Sequence, residues 1–210
     1  AALARELAKV STPQLRKLLS ALGNPPSLSN LPDDFWSKYS VELRAVLNTA
    51  LQTIYSDQAQ TMAAEHDITA SVNWNLINQD AADWARTYSY ELVKGITETT
   101  TTALQDIISK AIEQAMPLSE IQAAIEPLFG AERASVIATT ELTRAAAEGE
   151  AATVAQMADD GVVMVGIWMT REDEIVCEIC GALNGTRQVD GVFNADGDEY
   201  DNPPAHPNCL

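Results

Sequence analysis

The stretch DDFWSKYSVELRAVLNTALQTIYSDQAQTMAAE, Asp33 to Glu65, repeats apolar residues at steps of three or four: Phe35, Tyr39, Leu43, Val46, Ala50 and Ile54. That is the α-helical period. A second row, Leu47, Leu51 and Tyr55, widens the face. A stripe this broad packs inside a helical bundle, and a helix of this length points to an extended or coiled arrangement. His66 falls at its end and reads as a C-terminal residue favoured by the helix dipole rather than as a metal ligand.

Working outward, Ser11, Thr12 and Pro13 predict the start of a short amphipathic helix with Leu15, Leu18, Leu19 and Leu22 on one face and Gly23 as its stop. Asn24 to Pro32, with three prolines, reads as a loop. Further helices are expected at Gln79–Ile96, Thr101–Ala115 and Ser119–Glu126. The polar run Thr97 to Thr102 is read as the break between the first two, because threonine caps helices. Gly130 precedes an alanine-rich helix, Ala131 to Ala158. There Ala134, Ala138, Leu142, Ala145, Gly149 and Ala152 form a small-residue stripe that allows close packing. At Gly161 the period changes. Val162 to Met169 is apolar on both alternating faces, which predicts a strand covered on both sides, and Thr186 to Val189 reads as another short extended piece.

The expected fold is therefore mainly α: a helical N-terminal region, residues 1–130, for bundle formation or docking, followed by a small α+β domain, residues 131–210. With 210 residues, 46% of them hydrophobic, the chain can bury a real core, and disorder throughout is excluded. No apolar run approaches the roughly 20 residues that span a bilayer, and Arg5, Glu6 and Lys9 interrupt any signal-like block at the start. No membrane partner is expected. The missing initiator Met suggests a trimmed or partly ordered chain. A formal net charge of -17 opposes sequence-independent contact with a phosphate backbone.

The three cysteines all lie from Cys177 onward. Cys177 and Cys180 form one clip with two residues between them, and His206 and Cys209 form another. Together they offer the four nitrogen and sulfur donors that tetrahedral zinc prefers. Gly181 and Gly185 let the chain turn away after the first clip; Pro203, Pro204 and Pro207 stiffen the second. Competing chemistries fit less well. A redox pair would need a lowered thiol pKa, which Glu172, Asp173, Glu174 and Glu178 oppose. Haem attachment needs His where Gly181 stands. A nucleophilic Cys with His206 as base leaves two cysteines unexplained. Catalytic zinc needs an open coordination position, and four protein ligands fill the shell. From Arg171 to Leu210 there are nine acidic and two basic residues, which turns a zinc-bearing tail away from nucleic acid. The reading is structural zinc and no enzyme, with a zinc-dependent hydrolase or nuclease sharing the clips as the alternative.

The residues also suggest a family. Ala138-Thr-Thr-Glu-Leu-Thr-Arg-Ala-Ala-Ala-Glu-Gly149, then Trp168-Met-Thr170, Asp173, Cys177-x-x-Cys180, Leu183-Asn-Gly185, Phe193 and Pro203-Pro-Ala-His-Pro-Asn-Cys209 resemble the phage Mu F-like minor head proteins, also called phage head morphogenesis proteins. The match is specific from about Ala131 to Cys209. Thr139 stands where the family often has arginine, so no role is carried over to it. The resemblance implies a capsid-associated protein, in the virion at the head or portal vertex and in the host cytoplasm during assembly. Its implied partners are the portal protein or the major capsid protein, and some relatives are linked to DNA delivery. Self-association through the helices is a further expectation. Trp168 is read as a packing residue under the strand and Asp173 as a turn or ligand-orienting carboxylate.

Overall fold

The computed structural model describes residues 2–170 and 176–207. The chain is mainly helical: α1 Ala2–Ala21, α2 Phe35–Glu65, α3 Trp74–Glu113, α4 Leu118–Ile125, α5 Ala131–Asp159 and the short α6 Glu178–Leu183. A small two-stranded antiparallel sheet, β1 Phe193–Ala195 with β2 Asp198–Tyr200, lies near the C-terminus. Among the described residues no helix is long and apolar enough to cross a membrane.

Two compact units share the long helices. One comprises residues 1–49 and 86–138, the other 50–85 and 139–210. In α2 the buried positions run Phe35, Tyr39, Leu43, Leu47, Leu51, Tyr55, Ala59 and Ala63, always four apart. Each such step advances about 40° around a helix of 3.6 residues per turn, so the buried line winds around α2. Val46, Ala50 and Ile54, which a straight stripe would bury, are only half-buried.

In the first unit, α1 begins nine residues before the expected start at Ser11. Leu3 and Leu7 are buried and carry the helix into Leu18. Ser11 is no cap: its hydroxyl lies 3.1 Å from the Tyr39 hydroxyl, both buried, and Gln14 Nε2 donates to the Phe35 carbonyl at 3.1 Å. The expected break at Thr97–Thr102 is also absent, and α3 runs through it. The threonine hydroxyls turn back onto the helix instead of capping it. Thr97, Thr99, Thr100 and Thr101 donate their hydroxyls to the carbonyls of Val93, Gly95, Ile96 and Thr97 at 2.8, 2.9, 2.6 and 2.8 Å. Thr100 is buried, and its oxygen accepts from Arg133 Nη1 at 2.9 Å. Burial of that guanidinium holds its pKa below the usual arginine value.

In the second unit, Tyr55, Ala59, Ala63, Ile77, Ala81 and Met157 form one core, with Met164 against it. Gln156 fastens the loop before α3, accepting from the Asn73 N–H at 2.9 Å and donating to its carbonyl at 3.3 Å. The stretch Val162 to Met169 is not the doubly covered strand the apolar run predicts. Ile167 makes a single antiparallel bridge to Arg187, and Val163, Val165, Ile167 and Met169 are exposed. Only alternate side chains, Met164 and Trp168, found core to enter.

Candidate metal centre

The tail folds around a second, smaller core of Trp168, Leu183 and Phe193, with Tyr200 and Ala205 at its edge. Trp168 meets Phe193 edge-on at 5.2 Å between ring centroids, the arrangement aromatic quadrupoles favour. Gly166 permits this. A Cβ there would lie 3.2 Å from the Phe193 ring and 3.1 Å from the Gln188 side chain. Two Asp-Gly turns shape the rest. Asp190-Gly191 joins Val189 to Val192, and Asp196-Gly197 joins β1 to β2; all four residues have positive φ, as type I′ hairpin turns require. These dipeptides are legible in the sequence, and the extended reading of Thr186 to Val189 left them out. Gly185, at φ +79, does turn the chain; Gly181 does not, lying inside α6.

Helix α6 sets the first clip. Cys177 is its N-cap and Cys180 follows one turn later, with Leu183 one further turn along and anchored in the small core. The Cys177 Sγ accepts from the Cys180 N–H at 3.4 Å. His206 arrives from the far end of the tail. Its Nε2 lies 2.8 Å from Cys177 Sγ and 3.6 Å from Cys180 Sγ, and the three donor atoms all fall within 4.8 Å of one another. A carbonyl can only accept, so the 2.9 Å contact between His206 Nδ1 and the Pro207 oxygen puts the proton on Nδ1. In the neutral ring the Nε2 lone pair then faces both sulfurs, the tautomer and backing that metal-ligating histidines use.

The electrostatics agree with a thiolate site. The N–H donated by Cys180, with the adjoining His206, holds the Cys177 thiol down at about 7. The hydrogen bond to Pro207, then that to Cys177, raises the His206 pKa. The Cys177 pKa thus falls where the acidic neighbours predict a rise; of those acids Glu172, Asp173 and Glu174 lie outside the described residues. What separates the cluster from a simple dithiol is the third donor. Zinc, with bonds of about 2.3 Å to sulfur and about 2.0 Å to nitrogen, spaces its ligands roughly 3.5 Å apart. The His206–Cys180 pair stands at that spacing and the His206–Cys177 pair inside it, so Cys177, Cys180 and His206 could hold a metal ion. Cys209 and Asp173 lie outside the described residues.

The chain ahead of the tail contributes one further contact that spacing could not show. Asn184 Oδ1 accepts from the Thr170 N–H at 3.0 Å, tying the end of α6 to the segment that carries Trp168.

A sequence profile described as "Phage Mu protein F like protein" matches residues 102–210. The match starts inside α3, ahead of the Ala131 at which the resemblance becomes specific, and takes in α4, α5 and the whole tail. No curated protein and no solved structure matches the chain.

Proposed function

Because the chain belongs to the phage Mu F-like family, and so is a phage head morphogenesis protein, we propose that it is a minor head component that contacts the portal or the major capsid protein. Residues 1–130 serve as the helical docking region and residues 131–210 as the zinc-bearing head morphogenesis domain, with the family match reaching back to residue 102. Self-association through the helices is a further part of this proposal. The protein resides in the virion, at the head or portal vertex, after assembly in the host cytoplasm. It is no enzyme. Any part in DNA packaging or delivery runs through its partners, because a net charge of -17 disfavours direct contact with DNA.

Within this role Cys177, Cys180, His206 and Cys209 hold a structural zinc ion. The support is the convergence of three donors from opposite ends of the tail, with the His206 lone pair already aimed at both sulfurs. When bound, zinc would supply cross-linking alone. The residues do the rest: α6 presents the two thiols, Pro207 orients the ring, and Trp168, Leu183 and Phe193 hold α6 and Ala205, the residue before His206, against one small core. So short a tail offsets little ordering entropy by apolar burial, and a metal cross-link supplies the difference.

The observation that carries the assignment is the family match over half of the chain. Quantitative mass spectrometry of purified particles and of assembly intermediates tests it, with cross-linking to identify neighbours. The expected result is the chain in both, cross-linked to portal or major capsid protein. Its absence from both would overturn the proposal, and hydrolysis of nucleic acid or peptide that disappears in His206→Ala would replace it with the hydrolase reading.

A further inference from the structure

Val162 to Met169 is apolar throughout apart from Gly166, yet among the described residues cover is found on only one of its faces. Met164 and Trp168 enter the two cores of the second unit, whereas Val163, Val165, Ile167 and Met169 are 89%, 54%, 49% and 70% exposed. Alternation of this kind marks an extended chain with one face bare. The backbone is equally one-sided. The Trp168 N–H donates to the Thr186 carbonyl and the Gln188 N–H to the Gly166 carbonyl, each at 2.9 Å. That pairing directs the N–H and C=O groups of Val165, Ile167 and Met169 to the opposite edge. Among the described residues none of those groups is hydrogen-bonded.

This open edge lines a groove of about 1030 Å³ within the second unit. The wall across from it is α5, where Ala146, Ala147, Ala151 and Ala155 leave room for a main chain to come close. Glu65 and Glu150 line the groove as well, and among the described lining residues there is no Lys or Arg. Proteins blunt exposed strand edges with charges, prolines or bulges, and the 162–169 segment has no charge and no proline.

We propose that the groove receives an extended segment of a second protein, which adds as a strand to the 165–169 edge. The unpaired donors and acceptors select an extended backbone over a helix, since only a strand can meet them in register. The bare side chains select apolar residues at alternate positions. The two glutamates, in a chain of net charge -17, select Lys or Arg beside them. A second copy of this chain is the weaker occupant: its own 162–169 segment carries no basic residue, and pairing two such acidic chains sets like charges together. The proposal rests on this geometry and needs neither the metal nor a phage particle.

The test pans a short-peptide display library against the immobilised full chain, then measures synthetic copies of the enriched peptides by fluorescence anisotropy. Enriched sequences should alternate apolar residues and carry Lys or Arg. Ile167→Pro removes the open-edge N–H and leaves the Gly166 and Trp168 bonds in place, with a glycine before the proline to absorb its steric demand. It should weaken binding at least about tenfold, as should Val165→Lys by like charge, while Val41→Lys, an exposed position in the other unit, leaves it unchanged. If Ile167→Pro does not fold, Val165→Lys decides. No enrichment, acidic or non-alternating peptides, or binding indifferent to Val165→Lys would overturn the proposal. So would a dimer of the wild type in sedimentation velocity that Val165→Lys dissolves, since the occupant would then be a second copy. Binding is read without particles or zinc, so failure here is separate from failure of the assembly role.

Discussion

Gly149 of α5 lies directly against the main chain of Tyr55 in α2: a methyl group built on Gly149 would overlap the Tyr55 carbonyl oxygen and stand 3.0 Å from its carbonyl carbon and 3.2 Å from its Cα. The obstacle is backbone, which cannot rotate away as a side chain can. In an exposed helix Gly→Ala gains about 1 kcal/mol. Here the sign should reverse. Gly149→Ala is expected to cost about 3 kcal/mol by forcing the two helices apart, read as a lower urea midpoint with unchanged slope. A variant as stable as wild type would show that the contact is looser than described.

Leu47 is fully buried, whereas the neighbouring Val46 is half-buried. Leu47→Asp places an unpaired charge in the core of the first unit and should lower stability by about 3 to 5 kcal/mol. Val46→Asp should cost much less. Comparing their thermal midpoints tests the winding register of α2, and equal losses would contradict it.

Burial raises the Glu148 pKa above the ordinary carboxyl value of 4.5, with Arg144 and a hydrogen bond to Asn202 opposing and Asp201 reinforcing the shift. A carboxyl whose folded pKa lies above its unfolded one binds its proton more tightly when folded. It therefore favours the fold at low pH and loses that contribution as pH rises through the folded value. Glu148→Gln keeps a hydrogen-bonding group and removes the titration. Its melting temperature relative to wild type should rise between about pH 4 and about pH 7. A difference that stays constant over that range would remove Glu148 from the pH response.

Cys180 is buried, and its sulfur faces His206. Under the zinc reading, Cys180→Ser should abolish metal binding in elemental analysis and expose the tail to limited proteolysis, while the far-ultraviolet helical signal persists. A chelator should open the wild-type tail in the same way. Wild-type protein purified without zinc, or a Cys180→Ser tail that stays protected, would defeat the assignment.

Much of this fold was legible because its signals are local. The apolar recurrence at steps of three or four from Phe35 to Ile54 predicts a helix over Asp33 to Glu65, within two residues of the observed start of α2 and at its observed end. The expected helix Ser119–Glu126 lies within one residue of α4 at each end, and Gly130 precedes α5 as expected. The clip spacing named Cys177, Cys180 and His206 before any geometry was known. Two misreadings share a cause. Ser11 and the Thr97–Thr102 run are residues whose hydroxyls serve equally well as caps or as helix-interior donors, and the choice depends on distant partners. For Ser11 that partner is Tyr39; for Thr100 it is Arg133.

What the sequence determined by itself is the set of short-range choices: helical period, turn glycines, and the Cys177–Cys180 clip closed over three residues. The backbone decides those within a turn or two, so neighbouring side chains suffice to predict them. Tertiary structure alone decided which faces found cover and which donors met. Trp168 is buried because Leu183 and Phe193 come to it, and Val163 is bare because nothing in the described chain does. His206 reaches Cys177 across 29 positions because α6, the two Asp-Gly turns and the small aromatic core fold the tail back on itself, an outcome set by burial summed over the whole domain.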